Sequence, residues 1–504
     1  MEKSYSDFMK EISADELYEG LLAHGLFAEK LPPVFSSEGF YRFCQTNTRG
    51  FDGNPHQYVY YENMRNINIP RPLAIPNPMA YQLECATLKE YWPQIQKHFF
   101  RNTGGRSYKV SQIHIRKMHG FSPLFRMNYD NWRTDGNPEV KLSFGKKYMV
   151  KADISSCFPS MYTHALSWAL VGKNEAKKNR TNGKLWYNKI DKYTRNTTHD
   201  ETHGLLIGPH ASNLLSEIVL TAVDNRLINY DYIRAIDDYT CYTETYEEAQ
   251  RFLTELGSAL REFDLSLNHK KTAIKELPLP VTEEWQRKLN AAPLAGYYGE
   301  CNFLLTRAYI DCAIELVHRN GENAAILNYA IKVLLGKKLT PNAREYAAKT
   351  ILNLALLYPY LVSILDKHVF SVCCAECPSH SCIKEYAQKI YQSGLASRNF
   401  EQVSFSIFFA LKYKFELNCF DISEVIRTND GVLLLMAYRY TTYNNRKNDL
   451  KELKTFAKAL KDDLDTFDQY WVFLYEILPR SELKAEWKRL KENNVSFIKD
   501  ISTW

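Results

Sequence analysis

Asp237 and Asp238 stand side by side between two short runs of β-branched and aromatic residues, YIRAI before them and YTCYT after them. This pattern predicts a β-hairpin with both carboxylates at its tip. Asp153 lies near the end of a third run, at residues 148–154, which also predicts a strand. Because the two Mg²⁺ or Mn²⁺ ions of phosphoryl transfer need shared acidic oxygens, three strand-end carboxylates favour such a metal site. Taken alone, a strand-end aspartate is more often a turn or cap residue.

The composition excludes wholesale disorder and a polycationic tail. The 504 residues are 45% apolar and 24% charged, close to globular averages, and the net charge is only +6. The charge is unevenly spread, since residues 101–200 contain 19 Lys and Arg against 7 Asp and Glu. Their local net charge of +12 leaves −6 for the rest of the chain. The basic segment is either a surface for triphosphates and polynucleotides or a solvated basic face.

The sequence predicts a cytoplasmic protein without a membrane partner. The longest apolar stretch, residues 351–365, contains Asn353 and Pro359 and falls short of the ~20 residues that a span needs. The polar N-terminus lacks the apolar core of a secretion signal. Reduced, buried thiols are expected for six cysteines scattered along predicted core elements. These are Cys44, Cys85, Cys157, Cys241, Cys301 and Cys312.

The N-terminal 300 residues mix helix and strand signals. Ser13 and Glu16 form a capping box that starts a helix, whereas residues 51–80 contain five prolines and predict extended or turn-forming chain. Alternation over residues 109–117 predicts a strand with one basic face. We expect an N-terminal helix and a first subdomain in residues 1–145, followed by the carboxylate-bearing sheet in 146–300.

Residues 301–504 predict a purely helical domain. Apolar residues at 326–334 mark one helical face, Gly336 ends that helix, and Thr340 with Pro341 begins the next. Amphipathic helices are also predicted at 450–464 and 481–493, and Asp462 with Asp463 is interpreted there as a solvated face. The domain consists either of stacked helix pairs, as in HEAT-like repeats, or of an ordinary bundle.

Four ordered motifs between residues 150 and 275 resemble the palm motifs of reverse transcriptases. Further stretches are similar to the abortive-infection (Abi) group of bacterial reverse transcriptases, namely YTH at 162–164, GK at 172–173, AK at 176–177 and DETHG at 200–204. The resemblance implies an α+β fold, with reverse-transcriptase-like fingers and an antiparallel palm before the helical domain. The four motifs are DISSCF at 153–158, GLLIGPHAS at 204–212, AIDD at 235–238 and LNHKKT at 267–272.

The resemblance also implies roles for individual residues. Asp153, Asp237 and Asp238 would be catalytic and would hold the metal ions. Phe158 would exclude a ribose 2′-hydroxyl, although it is also compatible with a core aromatic. Gly208 would allow the backbone to approach the incoming nucleotide.

Three cations are further candidates for contacts with the triphosphate. Lys271 occupies the position of a lysine that protonates pyrophosphate, or is a solvated lysine. Arg116 and Lys117, which end the predicted basic strand, are further candidates.

Two departures from the reverse-transcriptase pattern affect the expected reaction. Ala235 replaces the aromatic residue that usually begins the third motif, and Leu206 with Ile207 replaces the Pro-Gln type of pair in the second. Both positions normally help to place primer and template. Abi polymerases as a group synthesise DNA without a template and use a tyrosine of the protein itself as the primer. The two departures are compatible with that activity.

The function implied is therefore antiphage, protein-primed and template-independent DNA synthesis from dNTPs. The single-stranded DNA product would stay covalently attached to the protein, and a homo-oligomer is expected from the resemblance. Tyr5, Tyr18 and Tyr41 are the priming candidates. The alternatives are an RNA-templated reverse transcriptase that uses a non-coding RNA, and a non-catalytic RNA-binding or oligomeric scaffold.

A cysteine-rich segment near the C-terminal third raises the question of zinc. The CxxC spacing supplies one pair of ligands, but the histidine and last cysteine are too close together to complete a tetrahedral site, and no second spaced pair is nearby. The spacing therefore favours a loop with free thiols over zinc. The residues concerned are Cys373, Cys374, Cys377, His380 and Cys382.

Overall fold

The computed structural model describes residues 3–47, 49–65, 69–118, 125–127, 136–296, 299–373 and 381–500. They form an α+β fold in which three antiparallel sheets lie N-terminal to a helical region, as the sequence predicts. Among these residues, no helix is long and apolar enough to cross a membrane.

The strands are β1 (Tyr58–Met64), β2 (Pro70–Pro76), β3 (Ile115–Lys117), β4 (Phe125–Met127), β5 (Tyr148–Asp153), β6 (Asp231–Ala235), β7 (Asp238–Thr243) and β8 (Ala273–Glu276). The helices that precede residue 300 are α1 (Tyr5–Lys10), α2 (Ala14–Leu22), α3 (Glu38–Thr46), α4 (Pro78–Glu90), α5 (Trp92–Thr103), α6 (Glu139–Leu142), α7 (Cys157–Ser160), α8 (His164–Val171), α9 (Lys173–Lys178), α10 (Trp186–Asn196), α11 (His210–Arg226), α12 (Tyr246–Glu262) and α13 (Glu284–Ala291).

The later helices are α14 (Phe303–Arg319), α15 (Ala324–Leu335), α16 (Pro341–Leu357), α17 (Val362–Ile364), α18 (Ser371–Cys373), α19 (Ser381–Ser397), α20 (Phe400–Lys412), α21 (Ile422–Thr428), α22 (Gly431–Tyr443), α23 (Lys447–Leu460), α24 (Leu464–Gln469), α25 (Trp471–Ile477) and α26 (Ala485–Glu492). Short 3₁₀ turns lie at Pro359–Leu361 and Arg480–Glu482, and a π-helical turn lies at Leu365–Phe370.

The palm is a four-stranded antiparallel sheet in the order β6-β7-β5-β8. Helix α12 packs against β5 and β7, and α11 packs against α5, α8 and α12. The apolar residues between these layers are fully buried. Strand residues alternate between the two faces of the sheet, so every second one can face the helices. They include Val150, Tyr232, Cys241, Phe252 and Leu256.

Several local predictions are confirmed. Ser13 and Glu16 form the expected reciprocal capping box at α2. The proline-rich segment is extended, since it supplies β1 and β2. Gly336 caps α15, and Pro341 begins α16 after Thr340.

Two predicted elements are wrong in extent. Within residues 109–117 only Ile115–Lys117 is a strand, because Ser111 makes a single bridge to Arg234 and the chain then leaves the sheet. The helix predicted at 450–464 ends at Leu460, because Asp463 caps a new helix by accepting a hydrogen bond from the Thr466 amide.

After residue 300 the described chain contains helices and no named strand, as predicted. Consecutive helices pack in pairs, such as α14 on α15 and α19 on α20, and α22 packs on both α20 and α25. The pairing agrees with a helical domain, while its HEAT-like character and the boundaries at residues 145 and 300 stay predictions.

A buried polar cluster joins the chain before β1 to the C-terminal helices. Asp468 on α24 is 1% exposed and lies 2.8 Å from His56 Nδ1, and its second oxygen accepts a hydrogen bond from Asn77 Nδ2 at 2.8 Å. Burial lowers the pKa of His56, but the hydrogen bond and charge of Asp468 outweigh it, so the net pKa is raised. While the imidazole is protonated, the cluster therefore contributes a buried, charged hydrogen bond to the fold.

We predict that Asp468→Asn lowers the free energy of unfolding by about 1–3 kcal/mol, because a buried charged hydrogen bond is lost. Since the folded-state pKa of His56 is raised, its contribution is complete below ~pH 6.5 and disappears as the pH rises through that pKa. Urea unfolding should therefore show a larger difference from the wild type at ~pH 6 than at ~pH 9.

The control is Asp465→Asn on the same helix, since the Asp465 side chain is 55% exposed and its pair with His199 spans 3.6 Å. This variant should unfold almost like the wild type. An equal effect of Asp468→Asn at both pH values would contradict the role given to His56.

Candidate active site

Strand pairing brings the three predicted carboxylates to one edge of the palm. The register pairs Asp153 at the end of β5 with Asp238 at the start of β7. Asp238 also pairs with Ala235 of β6, so Ile236 and Asp237 form a two-residue turn between the strands. The predicted hairpin with carboxylates at its tip is confirmed.

Asp153 is held by two polar side chains of the loop before β8. Asp153 is 4% exposed, and its carboxylate accepts hydrogen bonds from Asn268 Nδ2 at 3.0 Å and from Lys271 Nζ at 2.8 Å. The backbone amide of Asn268 also donates to the backbone carbonyl of Asp153 at 2.8 Å. Sequence reasoning did not assign Asn268 a role, although it lies within the LNHKKT motif.

The carboxylates are too close together to ionise independently. Burial raises the pKa of Asp238 to about 6, and the charges of Asp237 and Asp153 add to this effect. Burial also raises the pKa of Asp237, with a further increase from Asp153. The hydrogen bond to Asp153 raises the pKa of Lys271 and keeps this ammonium charged. The edge therefore carries more negative charge than its neighbouring cations balance.

The donor set fits a hard divalent cation, because all three side chains offer carboxylate oxygen. A cation would also favour the ionised forms of Asp237 and Asp238, whose pKa values are raised by burial and by the neighbouring carboxylates. In the part of the chain that the structure describes, no three His, Cys, Asp or Glu side chains already surround a common point. Lys271 instead occupies one oxygen of Asp153.

Phe158 lies on the short helix α7, where the first and second motifs meet. Its carbonyl accepts a hydrogen bond from the Leu205 amide at 2.8 Å, and the Gly204 amide donates to the Met161 carbonyl at 2.9 Å. The Phe158 ring is partly buried against the core. Its position next to the second motif is compatible with both interpretations of this aromatic residue.

Gly208 has a structural reason to be glycine. Its φ is +134°, and a Cβ there would lie 2.9 Å from the Ala74 carbonyl oxygen and 3.3 Å from Ala28 Cβ. The adjacent Ile207 carbonyl accepts a hydrogen bond from the Ala74 amide at 2.8 Å. The close approach therefore involves β2, whereas its proposed contact with a nucleotide stays a prediction.

Arg116 and Lys117 are held by the N-terminal helices. Arg116 is 5% exposed, and its guanidinium lies 4.5 Å from the centroid of the Phe8 ring. Lys117 forms an ion pair with Glu16 of α2 at 2.5 Å. These contacts give both cations roles in packing, and a contact with triphosphate stays a prediction.

Arg71 is a cation that sequence reasoning missed. It lies on β2, and its charge opposes the upward shift of the Asp237 pKa, so it is close enough to act on the carboxylate edge. The available signal was a lone arginine between two prolines in an extended segment. A Pro-Arg-Pro sequence alone does not reveal which sheet edge the arginine faces.

The priming candidates differ in accessibility. Tyr5 is 2% exposed and donates a hydrogen bond to Glu217 at 3.1 Å. Tyr18 is 7% exposed and accepts one from Gln82, and burial strongly raises the pKa values of both tyrosines. Tyr41 is only partly buried, and its hydroxyl accepts a hydrogen bond from Gln45 at 2.6 Å.

The cysteine predictions have mixed outcomes. Cys85, Cys157, Cys241 and Cys301 are free and buried as expected, while Cys44 and Cys312 are free and only partly buried. Of the possible zinc ligands, Cys374, Cys377 and His380 lie outside the described residues, and Cys382 is partly buried.

The palm and its carboxylate edge define a nucleotidyltransferase of the polymerase class. Residues 70–293 match the family model described as reverse transcriptase (RNA-dependent DNA polymerase). This range contains β2, the whole four-stranded sheet and all four sequence motifs. The chain therefore carries a reverse-transcriptase domain.

Solved structures of telomerases give distant matches. Apo telomerase from Candida tropicalis is 10% identical, with 82% of this chain and 70% of that chain covered and a TM-score of 0.33. The same telomerase truncated from its C-terminal domain is 12% identical, with 49% and 55% covered and a TM-score of 0.29. The alignment thus spans about half of that truncated chain.

Telomerase from Candida albicans, in complex with a fragment of telomeric RNA, is 10% identical, with 82% of this chain and 67% of that chain covered and a TM-score of 0.29. At these TM-scores the likeness adds nothing to the family-model match. No curated protein matches the chain.

We predict that Asp238→Asn stabilises the protein at neutral pH, because it removes one of three crowded charges. Since the folded-state pKa of Asp238 is raised to about 6, the wild type loses stability as the pH rises from ~4 through that value. Asp238 is only partly shielded from solvent at the end of β7, so screening limits the gain to about 1 kcal/mol. Thermal unfolding at ~pH 4 and ~pH 8 should show a larger gain at the higher pH.

Glu276→Gln is the matched control, because Glu276 is an exposed carboxylate of the same sheet that pairs with Tyr148 at the other end of β5. It should leave the unfolding midpoint unchanged. Mg²⁺ should raise the midpoint of the wild type more than that of Asp238→Asn. Lower stability of Asp238→Asn at ~pH 8 would refute the crowding.

We predict that Gly208→Ala destabilises the protein by about 1–3 kcal/mol without any nucleotide, because it combines a left-handed backbone with a clash at Ala74. Thermal unfolding compares it with Gly183→Ala, where the added Cβ meets nothing within 4 Å. Unchanged stability together with weaker dNTP binding would instead support the nucleotide role of Gly208.

Proposed function

We propose that this chain is a protein-primed, template-independent DNA polymerase of bacterial antiphage defence. The observation that carries the proposal is the edge formed by Asp153, Asp237 and Asp238, with Lys271 bound to Asp153. The defence role and the type of primer come from the resemblance to the Abi group. The substrates are dNTPs, and the product is single-stranded DNA attached to the protein.

The side chains at this edge have complementary roles in nucleotidyl transfer. Mg²⁺ held by Asp153, Asp237 and Asp238 would lower the pKa of the attacking hydroxyl and would neutralise negative charge on the pyrophosphate. Asn268 orients Asp153 through its hydrogen bond. Lys271 remains charged. Once its ammonium leaves Asp153, it can donate a proton to the pyrophosphate.

Arg71 adds a second positive charge near Asp237. It is placed on the strand that also binds the second motif, because the Ala74 amide of β2 donates to the Ile207 carbonyl. Arg71 is therefore our preferred cation for the triphosphate. We prefer Arg71 to Arg116 as the candidate for this contact, because Arg116 is buried against the Phe8 ring.

Synthesis without a template is supported by residues at two positions. Ala235, at the end of β6, offers no aromatic ring beside a primer end. Leu206 is 9% exposed, and the Ile207 carbonyl accepts a hydrogen bond from β2. This loop therefore packs against the protein at positions that help to place primer and template in conventional enzymes. Both features favour extension of a single strand over copying.

Tyr41 is our preferred primer among the sequence-based candidates. The hydroxyls of Tyr5 and Tyr18 are buried and hydrogen-bonded, so an attacking Tyr5 or Tyr18 would need the N-terminal helices to unfold locally. The Tyr41 ring is partly exposed on α3.

The direct test incubates the pure protein with labelled dNTPs and Mg²⁺ in the absence of nucleic acid. We predict covalent label on the wild type and on Glu276→Gln, and none on Asp237→Asn. Tyr41→Phe should abolish labelling, whereas Tyr18→Phe should retain it.

Label that depends on added RNA and follows its sequence would instead establish RNA-templated synthesis. Phage protection that survives Asp237→Asn would support the scaffold alternative. Labelling of Tyr41→Phe at the wild-type level would exclude Tyr41 as the primer.

We predict that Phe158→Ala admits ribonucleotides, since removal of the ring frees space for a 2′-hydroxyl. The ratio of rNTP to dNTP incorporation should rise at least about tenfold. The control is Phe144→Ala, because Phe144 is 88% exposed. An unchanged ratio, with reduced thermal stability, would identify Phe158 as a core aromatic only.

A further inference from the structure

A completely buried arginine lies directly behind the carboxylate hairpin. Arg234 on β6 precedes Asp237 by three residues and is 0% exposed. It faces two buried carboxylates of α11, Glu217 and Asp224, which are 5% and 3% exposed. One positive charge between two negative charges in the core requires dense hydrogen bonding to be tolerated.

The guanidinium meets this requirement through all three of its nitrogens. Nη1 donates to Glu217 Oε1 and Nη2 donates to Asp224 Oδ2, each at 2.8 Å. Nε donates to Asp224 Oδ2 at 3.0 Å. Nη1 also donates to the Ile236 carbonyl at 2.8 Å, and this contact reaches the turn that carries Asp237.

Ile236 is in an unfavourable backbone conformation. Its φ is +61°, in the left-handed region that β-branched residues rarely adopt. Two-residue hairpin turns place a residue with positive φ at this position, and glycine usually fills it. Strain of this kind persists only where surrounding contacts hold it.

We propose that Arg234 is a positioning residue, which holds the Ile236 carbonyl and thereby sets the direction of Asp237 at the carboxylate edge. This inference rests on the proposed polymerase function. Nothing in the sequence pattern signals it, since a lone arginine in a strand usually faces solvent. The alternative is a buried ion pair that serves stability only.

The positioning cluster extends to the N-terminal helix. Tyr5 of α1 donates to Glu217 Oε2 at 3.1 Å, and Ser111 Oγ lies 3.2 Å from both oxygens of the same carboxylate. Tyr232 donates to Asp224 Oδ1 at 2.9 Å. The Tyr5 hydroxyl therefore supports the carboxylate that orients Arg234.

The test compares Arg234→Lys, Ile236→Gly and the double variant. Lysine keeps the charge but loses the planar fork, so the bond to the Ile236 carbonyl is lost. Glycine removes the strain, so the turn no longer needs that bond. The readouts are kcat and KM for nucleotide incorporation, Mn²⁺ affinity by electron paramagnetic resonance, and the thermal midpoint.

We expect Arg234→Lys to lower kcat about 100-fold with little change in KM, and to weaken Mn²⁺ binding about tenfold. Adding Ile236→Gly should recover most of kcat and of the Mn²⁺ affinity while the midpoint stays low. Arg226→Lys is the control on α11, the helix that carries Glu217 and Asp224, because its pair with Glu262 is exposed, and it should behave like the wild type.

Failure of Ile236→Gly to recover either quantity would overturn the proposal, as would recovery that merely follows the thermal midpoint. If Arg234→Lys does not fold, Glu217→Gln replaces it, with the same recovery by Ile236→Gly expected. A wild type that incorporates no nucleotide would contradict the polymerase function alone, and the Mn²⁺ affinities would then decide the role of Arg234.

Discussion

The pairing of β5 with β7 places Asp153 opposite Asp238, and the other features of the site depend on this register. Because side chains alternate along a strand, a slip by one residue would turn Asp153 to the other face of the sheet. The correct register concentrates negative charge, and burial together with the neighbouring carboxylates raises the pKa values of Asp237 and Asp238. Lys271 offsets part of this charge, and the carboxylate oxygens that remain are of the type that a hard divalent cation prefers.

The palm tolerates this repulsion because buried contacts hold the edge from several directions. Asn268 binds Asp153 from the loop before β8, while Arg234 holds the turn from the core. The second motif is tied to β2 through Ile207 and Ala74. The same strand, which belongs to the separate β1-β2 sheet, carries Arg71, whose charge acts on Asp237. A site that stores repulsion and strain in this way is typical of catalysis.

Local patterns predicted much of the fold and the central part of the site. The hairpin at Asp237 and the capping box at Ser13 depend on residues close in sequence, and both are confirmed. Local patterns did not reveal the long-range contacts. Arg116 is covered by Phe8 from α1, and a Cβ at Gly208 would meet Ala74, more than 100 residues away. The buried Tyr5 hydroxyl likewise donates to Glu217, a contact that no local pattern reveals.

The central claim is that these carboxylates attach nucleotides to the protein itself. It is tested most directly by the intact mass of the full chain after incubation with Mg²⁺ and one chain-terminating nucleoside triphosphate, without nucleic acid. We predict that the wild type gains one nucleotide and that Asp237→Asn gains none. An unchanged wild-type mass, or an equal gain in Asp237→Asn, would contradict the account.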